Sequence, residues 1–335
     1  MYEVGEKSGM KATVVIPNYN GRAFMQDCLT ALAKQTSDEF EVLVVDNASV
    51  DGSADELEQW LPGVKVHCFD QNYGFSRAVN EGIRLSDSEY VILLNNDTIP
   101  FPDYVEKLIR AMDEDERRFS VSPKMIQAYH RDLLDDAGDS YCLLGWAFQR
   151  GVGQPVDRFS KAGRIFSACA GAAIYRRSVF DEIGYFDEQH FAYLEDIDVG
   201  YRGLIHGYVN WYEPNAKVYH VGSGTSGSRY NAFKVKLSAR NSIYLNVKNM
   251  PLVFFVLNFL PLLVGWLVKL RFFTKIGFGR EYRAGIAEGI RTVRHCRRVP
   301  FCWRHLWNYV YIEILLVINT LIYVIEFLRR RSMKR

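Results

Sequence analysis

The chain has 335 residues, with 41 basic and 39 acidic side chains and a formal net charge of +2 at pH 7. This near balance gives no reason to expect a nucleic-acid partner, and the length allows two domains. The charges are unevenly divided, because residues 1–247 hold 25 basic and 35 acidic side chains whereas residues 248–335 hold 16 and 4. This division predicts an acidic globular domain over 1–247 and a basic region over 248–335 that meets an anionic surface.

The cysteines indicate a reducing compartment. They form no CxxC pair and no regular framework, which is typical of free thiols in a cytosolic protein. The first ten residues are polar, and no signal peptide is apparent. We therefore expect the acidic domain to stay in the cytoplasm. The six cysteines are Cys28, Cys68, Cys142, Cys169, Cys296 and Cys302.

Strand and helix patterns alternate through the first 125 residues. Apolar runs predict strands over 12–16, 40–45, 64–68 and 90–94. The segments between them predict helices over 23–34, 51–60 and 75–85. Strands that alternate with helices of about ten residues indicate a parallel sheet with right-handed crossovers.

The pattern changes after residue 125. Residues 126–165 are rich in Gly, Asp and Arg, which predicts loops and short strands. A Gly- and Ser-rich run over 222–228 has the composition of a mobile loop that could order over a ligand. Between these segments we predict an ordered run over 166–175, helices over 178–183 and 195–206, and short strands over 209–212 and 217–220.

Polar side chains follow the predicted strands at the points where the strands end. In an open α/β sheet, ligands bind beyond the carboxyl ends of the strands. This edge offers hydrogen-bonding groups for a base, amides and an Arg for phosphates, and a carboxylate for Mg²⁺ or Mn²⁺. The plain alternative is a set of polar turns that close the strands. The candidate ligand-binding residues are Pro17, Asn18, Tyr19, Asn20, Asp46, Asn47, Asn72, Gly74, Phe75, Arg77, Asn80, Asn95, Asn96 and Asp97.

Two common nucleotide-binding motifs are absent. No GxGxxG follows the first strand, which disfavours a dinucleotide-dependent oxidoreductase. No GxxxxGK[ST] occurs either, which argues against a P-loop NTPase.

Three carboxylates lie within four residues at the predicted start of the 195–206 helix. Glu195, Asp196 and Asp198 could cap that helix and interact with its dipole. Capping does not explain the aromatic residues Phe191 and Tyr193 that precede them. A carboxylate among aromatic side chains could act as a general base, with its pKa adjusted by partial burial.

The basic region contains two long apolar stretches, 252–268 and 307–328, that are near the length of a membrane span. The segment between them carries 10 basic and 2 acidic residues over 269–306, which disfavours its translocation across a membrane. Pro261 and Glu313 also count against simple spans. We favour helices that lie in the cytoplasmic leaflet, with a hairpin of spans and ordinary core helices as alternatives.

The motifs, in their order, resemble those of glycosyltransferase family 2, the inverting enzymes with a nucleotide-diphospho-sugar fold. The resemblance covers roughly residues 11–245, and the nearest subgroup is the bacterial rhamnosyltransferase-like enzymes that build surface polysaccharides. It implies an α/β, mostly parallel GT-A type sheet sandwiched by helices, with a C-terminal helical membrane-associated appendage. The motifs are Val14–Gly21, Val45–Ser53, Asn72–Asn80, Gly184–Glu188, Tyr193–Asp198, and His220 followed by the Gly/Ser loop.

The resemblance also implies roles for particular residues. Asp46 would recognise the nucleotide base beside the 17–20 loop, and Asp97 matches the last acid of the Asp-x-Asp metal motif. Asn95 stands in place of the first acid of that motif, which leaves one strong ligand. His220 would complete the metal site, and Asp196 would be the catalytic base with Glu195 as its neighbour. The pair Arg240 and Asn241 could reach the diphosphate or the acceptor.

The function implied is metal-dependent, inverting transfer of a sugar to a lipid-linked or growing surface-polysaccharide acceptor, with Mn²⁺ or Mg²⁺. Rhamnose from dTDP-rhamnose is the favoured donor, and another hexose is the alternative. The enzyme would work peripherally or monotopically at the cytoplasmic face of the bacterial plasma membrane. A non-catalytic, membrane-attached sugar-nucleotide-binding scaffold is the alternative of a different class. No Gln-x-x-Arg-Trp run occurs, which disfavours a processive polymer synthase.

Overall fold

The computed structural model describes residues 9–222 and 230–332, with side chains described as far as Arg329. Most of the Gly- and Ser-rich loop predicted over 222–228 lies outside these residues. The strands are β1 Ala12–Asn18, β2 Phe40–Asp46, β3 Lys65–Cys68, β4 Tyr90–Leu94, β5 Thr98–Pro100, β6 Arg118–Gln127, β7 Leu134–Asp136, β8 Asp139–Tyr141, β9 Ala147–Gln149, β10 Gly163–Ile165, β11 Ala172–Arg176 and β12 Val209–His220. The helices are α1 Arg22–Leu32, α2 Phe75–Leu85, α3 Tyr104–Asp113, α4 Arg177–Ile183, α5 Glu195–Ile205, α6 Ala232–Asn249, α7 Leu252–Lys275, α8 Gly279–Thr292 and α9 Leu306–Ser332.

Ten of the described strands form one mixed sheet with the order β10-β12-β6-β11-β4-β1-β2-β3, to which β5 and β7 add at β12 and β6. β1 pairs in parallel with β2 and β4, β2 with β3, and β12 with β6, so six of the ten strands run in one direction. β11 is antiparallel between β4 and β6. The predicted α/β, mostly parallel sheet is confirmed.

The central strands are apolar on both faces because helices cover both sides of the sheet. On β4, Ile92 and Leu94 point into a core with α1 and α3, whereas Val91 and Leu93 point into a core with α2 and α4. Strands buried on two faces read as continuous hydrophobic runs, as the 90–94 stretch does. This two-sided burial leaves only the strand ends available for polar groups.

The helix predicted over 51–60 is wrong. Only a 3-10 turn at Leu57–Gln59 forms there. The Asp51 carboxylate accepts hydrogen bonds from the backbone amides of Arg22 and Ser53, and Glu56 has a φ of 54°. Side-chain to backbone hydrogen bonds of this kind compete with a helix.

The two strands predicted over 209–212 and 217–220 are one strand, β12, with a register shift opposite β6 between Glu213 and Lys217. The run predicted over 166–175 becomes a strand only from Ala172. The structure also contains α3 and β6, which we did not assign from the sequence.

The C-terminal helices pack on the acidic domain. α6 continues past residue 247 to Asn249, so the proposed domain boundary falls inside a helix. α8 lies against α6 so closely that a Cβ at Gly285 would clash with the carbonyl oxygen of Lys236. A third core joins α5, α6, α7 and α9 through side chains such as Tyr201, Leu245 and Ile312.

Candidate active site

The end of β2 carries a buried carboxylate with three hydrogen-bond donors. Asn18 Nδ2 donates to Asp46 Oδ1 over 2.6 Å, and the backbone amide and hydroxyl of Ser49 donate over 2.9 and 2.6 Å. Ser53 Oγ also accepts from Asn18 Nδ2, at 2.8 Å. Donors on three sides hold the Asp46 carboxylate in one orientation, as recognition of a nucleobase would require.

Asn18 links this carboxylate to the end of β4. Asn96 Nδ2 donates to Asn18 Oδ1 over 2.7 Å, and both asparagines are buried. The hydroxyl of Thr98 donates to the carbonyl of Asn95, which keeps the turn after β4 compact. The predicted residues at positions 46, 18 and 96 therefore form one hydrogen-bonded row that ends beside Asp97.

Other predicted donor-binding residues surround the entry of α2. Asn47 Oδ1 accepts from the amide of Tyr73, and Asn72 Oδ1 accepts from the amide of Gly74. The Arg77 guanidinium lies 4.0 Å from the centroid of the Tyr73 ring, a cation–π contact. Phe75 begins the helix itself.

Three other predicted donor-binding residues differ in their contacts and exposure. Asn80 is buried, and its side chain bonds the backbone of Phe186 and Glu188 Oε1. Asn20 Oδ1 accepts from the amide of Val50, which ties the Pro17–Asn20 turn to the loop after β2. Tyr19 is exposed at the tip of that turn.

Asp97, Asp135 and His220 form a carboxylate–imidazole–carboxylate row. His220 Nε2 is 3.4 Å from Asp97 Oδ1, and His220 Nδ1 is 2.7 Å from Asp135 Oδ2. Burial alone would lower the pKa of His220, but the hydrogen bonds and charges of Asp135 and Asp97 outweigh it and raise the pKa to about 10. Asp135 was not among the predicted site residues.

These groups suit a divalent cation. Oxygen and imidazole ligands are those that Mn²⁺ accepts, and neighbouring ligands of an octahedral ion are roughly 3 Å apart. The separation of 3.4 Å between Asp97 Oδ1 and His220 Nε2 is compatible with that geometry. The second imidazole nitrogen bonds a carboxylate, which is the usual arrangement that orients a metal-binding histidine.

The three carboxylates at the start of α5 have different environments. Asp198 is fully buried and accepts hydrogen bonds from Arg202, Lys248 and Asn249. Burial would raise the pKa of Asp198, but the charges of Lys248 and Arg202 lower it strongly. Asp198 is thus an ionised structural anchor that ties α5 to α6.

Asp196 and Glu195 lack such partners. Burial raises the pKa of Asp196 to about 6 although the amide of Ile197 donates to its Oδ1 over 2.8 Å. Burial, and then the charge of Asp196, raises the pKa of Glu195 well above its usual value, and Glu195 Oε2 has no hydrogen-bond partner. Two adjacent buried carboxyl groups with raised pKa values are typical of a functional site.

An acidic cluster that sequence reasoning missed borders Asp196. Asp136, Asp139 and Cys169 each place a potential ligand atom within 4.8 Å of the others. Burial and the charge of Asp135 raise the pKa of Asp136 to about 7, and Asp196 contributes to the same shift. The Asp135–Asp139 run of acids around Gly138 was the available signal, within a segment predicted only as loop and short strands.

Arg240 and Asn241 contact protein groups. Asn241 Nδ2 donates to the carbonyl oxygens of His190, Ala192 and Tyr193, and Arg240 bonds the carbonyl of Gln189. Their reach toward a diphosphate or acceptor stays a prediction. In the structure they support the segment that precedes Glu195.

The fold is shared with solved sugar-nucleotide-dependent enzymes. It resembles GalNAc-T7, solved with UDP, GalNAc and Mn²⁺, with a TM-score of 0.56 and 15% identity over 72% of this chain and 51% of that one. It also resembles the mannosyltransferase PcManGT from Pyrobaculum calidifontis, in complex with GDP-Man and Mn²⁺, with a TM-score of 0.51 and 16% identity over 85% and 75% of the two chains. The protein therefore has the fold of the GT-A class of glycosyltransferases.

The sequence comparisons define the family. The model described as Glycosyl transferase family 2 matches residues 13–184, more than half of the chain, so the protein belongs to this family and is a glycosyltransferase. It is 27% identical to the N-acetylglucosaminyl-diphospho-decaprenol L-rhamnosyltransferase of Mycobacterium tuberculosis over 64% of this chain and 77% of that protein. It is 28% identical to the putative teichuronic acid biosynthesis glycosyltransferase TuaG of Bacillus subtilis over 37% and 50%.

Proposed function

We propose that the protein transfers a sugar, with inversion, from a nucleotide-diphospho-sugar to a hydroxyl group of a lipid-linked saccharide. The observation that carries this proposal is the raised pKa of the Asp196 carboxylate, which lies beside Glu195. The same fold places predicted site residues directly after the ends of β1, β2 and β4. Ser167 Oγ donates to the carbonyl of Asp196 over 2.6 Å, and the carbonyl of Ser167 accepts from the amide of Asp139. Asp139 follows Asp135, the partner of His220, by four residues, which supports one site that includes α5 and the end of β12.

Asp196 acts as the general base in this mechanism. Its carboxylate accepts the proton of the acceptor hydroxyl as the oxygen attacks the anomeric carbon, and the bond to the diphosphate breaks in the same displacement. Burial, and then the charge of Asp196, raises the pKa of Glu195 well above its usual value, which favours its neutral form. Asp97 and His220 would hold a divalent ion, which when bound supplies positive charge for the departing diphosphate.

The relatives support a choice of donor and acceptor. The name of the mycobacterial relative describes rhamnosyl transfer to N-acetylglucosaminyl-diphospho-decaprenol. We infer that dTDP-rhamnose is the donor and that a saccharide on a lipid diphosphate is the acceptor. A screen of sugar nucleotides for Mn²⁺-dependent release of the nucleoside diphosphate tests this choice, and binding without turnover for every donor would favour the scaffold alternative.

The rate should depend on pH through Asp196. Its pKa of about 6 means that the carboxylate is protonated, and inactive as a base, at lower pH. We expect kcat/KM to fall about tenfold per pH unit below about 6 and to level off above it. Initial rates between pH 4.5 and 8.5 with saturating Mn²⁺ measure this limb. A profile that stays flat down to pH 5 would contradict the assignment of the base.

We also propose that α7 and α9 lie in the plane of a membrane surface. The two helices are parallel neighbours, since the ring centroids of Phe254 and Tyr309 are 6.1 Å apart and, one turn further along each helix, Asn258 Nδ2 donates to Glu313 Oε2 over 2.7 Å. A hairpin of spans would instead make them antiparallel. The parallel arrangement supports two helices that lie on one surface of the domain.

The α9 helix touches the acidic domain at two well-separated positions. On α9, Asn308 Nδ2 bonds the carbonyl of Ile205 and Thr320 Oγ1 accepts from the amide of Leu143. These contacts are 12 residues apart in the helix, or roughly 18 Å at 1.5 Å per residue. Contacts this far apart support a helix that lies along the domain.

The faces of α7 and α9 that do not contact the acidic domain are apolar and exposed, and basic residues flank the two helices. This is the composition of an interfacial helix on anionic lipid. Both helices are long and apolar enough to cross a membrane, and only 17% of the most apolar stretch of each is buried in the protein. The exposed apolar residues are Leu252, Val253, Val256, Leu257, Phe259, Leu260, Val264, Leu267, Val268 and Phe272 on α7 and Trp307, Ile314, Val317, Ile318, Leu321, Ile322, Val324, Ile325, Phe327 and Leu328 on α9.

Replacing two of these residues, Leu257→Glu with Leu321→Glu, should lower co-sedimentation with phosphatidylglycerol vesicles at least tenfold, because two charges enter the apolar layer. The matched control is Leu85→Glu, an exposed apolar position at the end of α2.

An impermeant maleimide should label Cys302, between the helices, only after spheroplasts are permeabilised. Labelling of intact spheroplasts would contradict in-plane attachment and favour spans.

A further inference from the structure

The backbone that leads into the catalytic carboxylates is in an unfavourable conformation. We call residues 190–194 the 190–194 loop, and it ends directly before Glu195. Three of its residues have positive φ: Phe191 at 62°, Tyr193 at 74° and Leu194 at 68°. Positive φ is unfavourable for residues that carry a Cβ, so contacts from elsewhere in the fold must hold this loop.

Asn241, on α6, supplies the central contacts. Its Nδ2 donates to three carbonyl oxygens of the loop: His190 over 3.0 Å, Ala192 over 2.9 Å and Tyr193 over 2.8 Å. The residue is fully buried. One side-chain amide therefore bonds backbone groups on both sides of Phe191.

Arg240 extends these contacts toward the start of the loop. Its terminal nitrogen donates to the carbonyl oxygens of Gln189 over 2.8 Å and His190 over 2.9 Å. The guanidinium is itself oriented by Glu288 Oε1, at 3.2 Å, and its Nε donates to Asn241 Oδ1 over 3.0 Å. The two side chains thus form a single clamp on the loop.

The loop also touches the donor edge of the sheet. The amide of Ser76 donates to the carbonyl of Phe191 over 3.3 Å. A Cβ at Gly74 would lie 2.7 Å from the same carbonyl oxygen, so only glycine allows this approach. The 190–194 loop therefore connects the entry of α2, where the predicted phosphate-binding residues lie, to Asp196.

We propose that Asn241 and Arg240 are positioning residues: they hold the 190–194 loop and thereby place Asp196 relative to the donor. The inference rests on the proposed function for its kinetic consequence, although the clamp itself is independent of it. In this role neither side chain touches the diphosphate or the acceptor. Misplacement of a reacting group by about 1 Å can cost roughly a hundredfold in rate.

Asn241→Ala should lower kcat ten- to a hundredfold, while the Kd for the sugar nucleotide with Mn²⁺ changes less than about twofold. The matched control is Asn246→Ala, because Asn246 is equally buried on α6 and bonds Tyr141 and Ser242, away from the loop. We expect the control to keep kcat within about twofold. An unchanged kcat in Asn241→Ala, or an equal loss in both variants, would overturn the proposal.

A second measurement does not depend on turnover. Amide hydrogen exchange over 190–197 should become at least tenfold faster in Asn241→Ala and stay unchanged in Asn246→Ala, because only the first releases the loop. Unchanged exchange would overturn the clamp even if the protein transferred no sugar. If Asn241→Ala does not fold, Arg240→Lys is the substitute, because it loses the paired bonds to Gln189 and His190. We expect it to lower kcat and to speed up amide exchange over 190–197, each severalfold.

A double-mutant cycle tests the role of backbone strain. Leu194→Gly adopts positive φ without penalty, so it should reduce the kcat loss caused by Asn241→Ala at least threefold. Strictly multiplicative losses would show that Asn241 does not act through this loop. That outcome would leave the assignment of Asp196 as the base in place, so the two failures are distinguishable.

Discussion

Asp196→Asn should lower the rate of sugar transfer by about 10²- to 10⁴-fold, the range that a general base contributes. Asparagine has the shape of the carboxylate but cannot accept the proton of the acceptor hydroxyl. Because the replaced group lies on α5 and not at the strand ends, we expect the affinity for the sugar nucleotide to change less than about threefold. Transfer is measured by radiolabel incorporation into the lipid-linked acceptor, and binding by calorimetry with Mn²⁺.

Glu195→Gln is the matched comparison for this prediction. Burial raises the pKa of Glu195 well above its usual value, which favours the neutral carboxyl group that glutamine resembles in shape and charge. We expect Glu195→Gln to lose far less activity than Asp196→Asn. Equal losses, or substantial activity in Asp196→Asn, would show that another residue takes the proton.

Asp97→Asn should abolish the Mn²⁺-dependent part of donor binding. In the proposed metal site the Asp97 carboxylate would be the one strong ligand, because Asn95 stands in place of the first acid of the family motif, and a neutral amide holds a divalent cation poorly. Calorimetric titration of the sugar nucleotide with and without Mn²⁺ measures the effect. Donor binding in Asp97→Asn that still depends on Mn²⁺ as in the wild-type protein would contradict the metal assignment.

Asp135→Asn provides a graded control for the metal site. Asp135 bonds the other imidazole nitrogen of His220, at 2.7 Å, and need not contact the ion itself. Loss of such an outer partner should weaken metal affinity about 10- to 100-fold, less than the loss of Asp97. Since the pKa of His220 is about 10, metal binding at Nε2 displaces a proton, so affinity should also rise with pH.

The strand ends could be predicted from sequence because two simple patterns coincide there. Runs such as Tyr90–Leu94 are apolar at every position, which only strands buried on both faces require, and polar residues follow at once. Parallel strands place these endings at one edge, so Asn18, Asp46 and Asn96 meet although they are far apart in the chain. The carboxylates of α5 could be located from sequence because three acids within four residues mark the start of a helix.

The partners that complete the site could not be predicted in the same way. Asp135 reaches His220 because β7 pairs with β6, which in turn pairs with β12, and short strands in a Gly-rich segment carry no periodicity that reveals such pairing. Asn241 and Arg240 were identified as functional residues, but the direction of α6 decides that they contact a backbone loop. The helix predicted over 51–60 failed because the local hydrogen bonds of Asp51 prevailed over helical periodicity.

The proposed mechanism is a single displacement in which Asp196 takes a proton while the donor bond breaks. The anomeric configuration of the first transferred sugar, determined by NMR on the product made from dTDP-rhamnose or whichever donor is turned over, tests this directly. A configuration opposite to that of the donor is the predicted result. A product that keeps the donor's configuration would contradict the mechanism and would require a different role for Asp196.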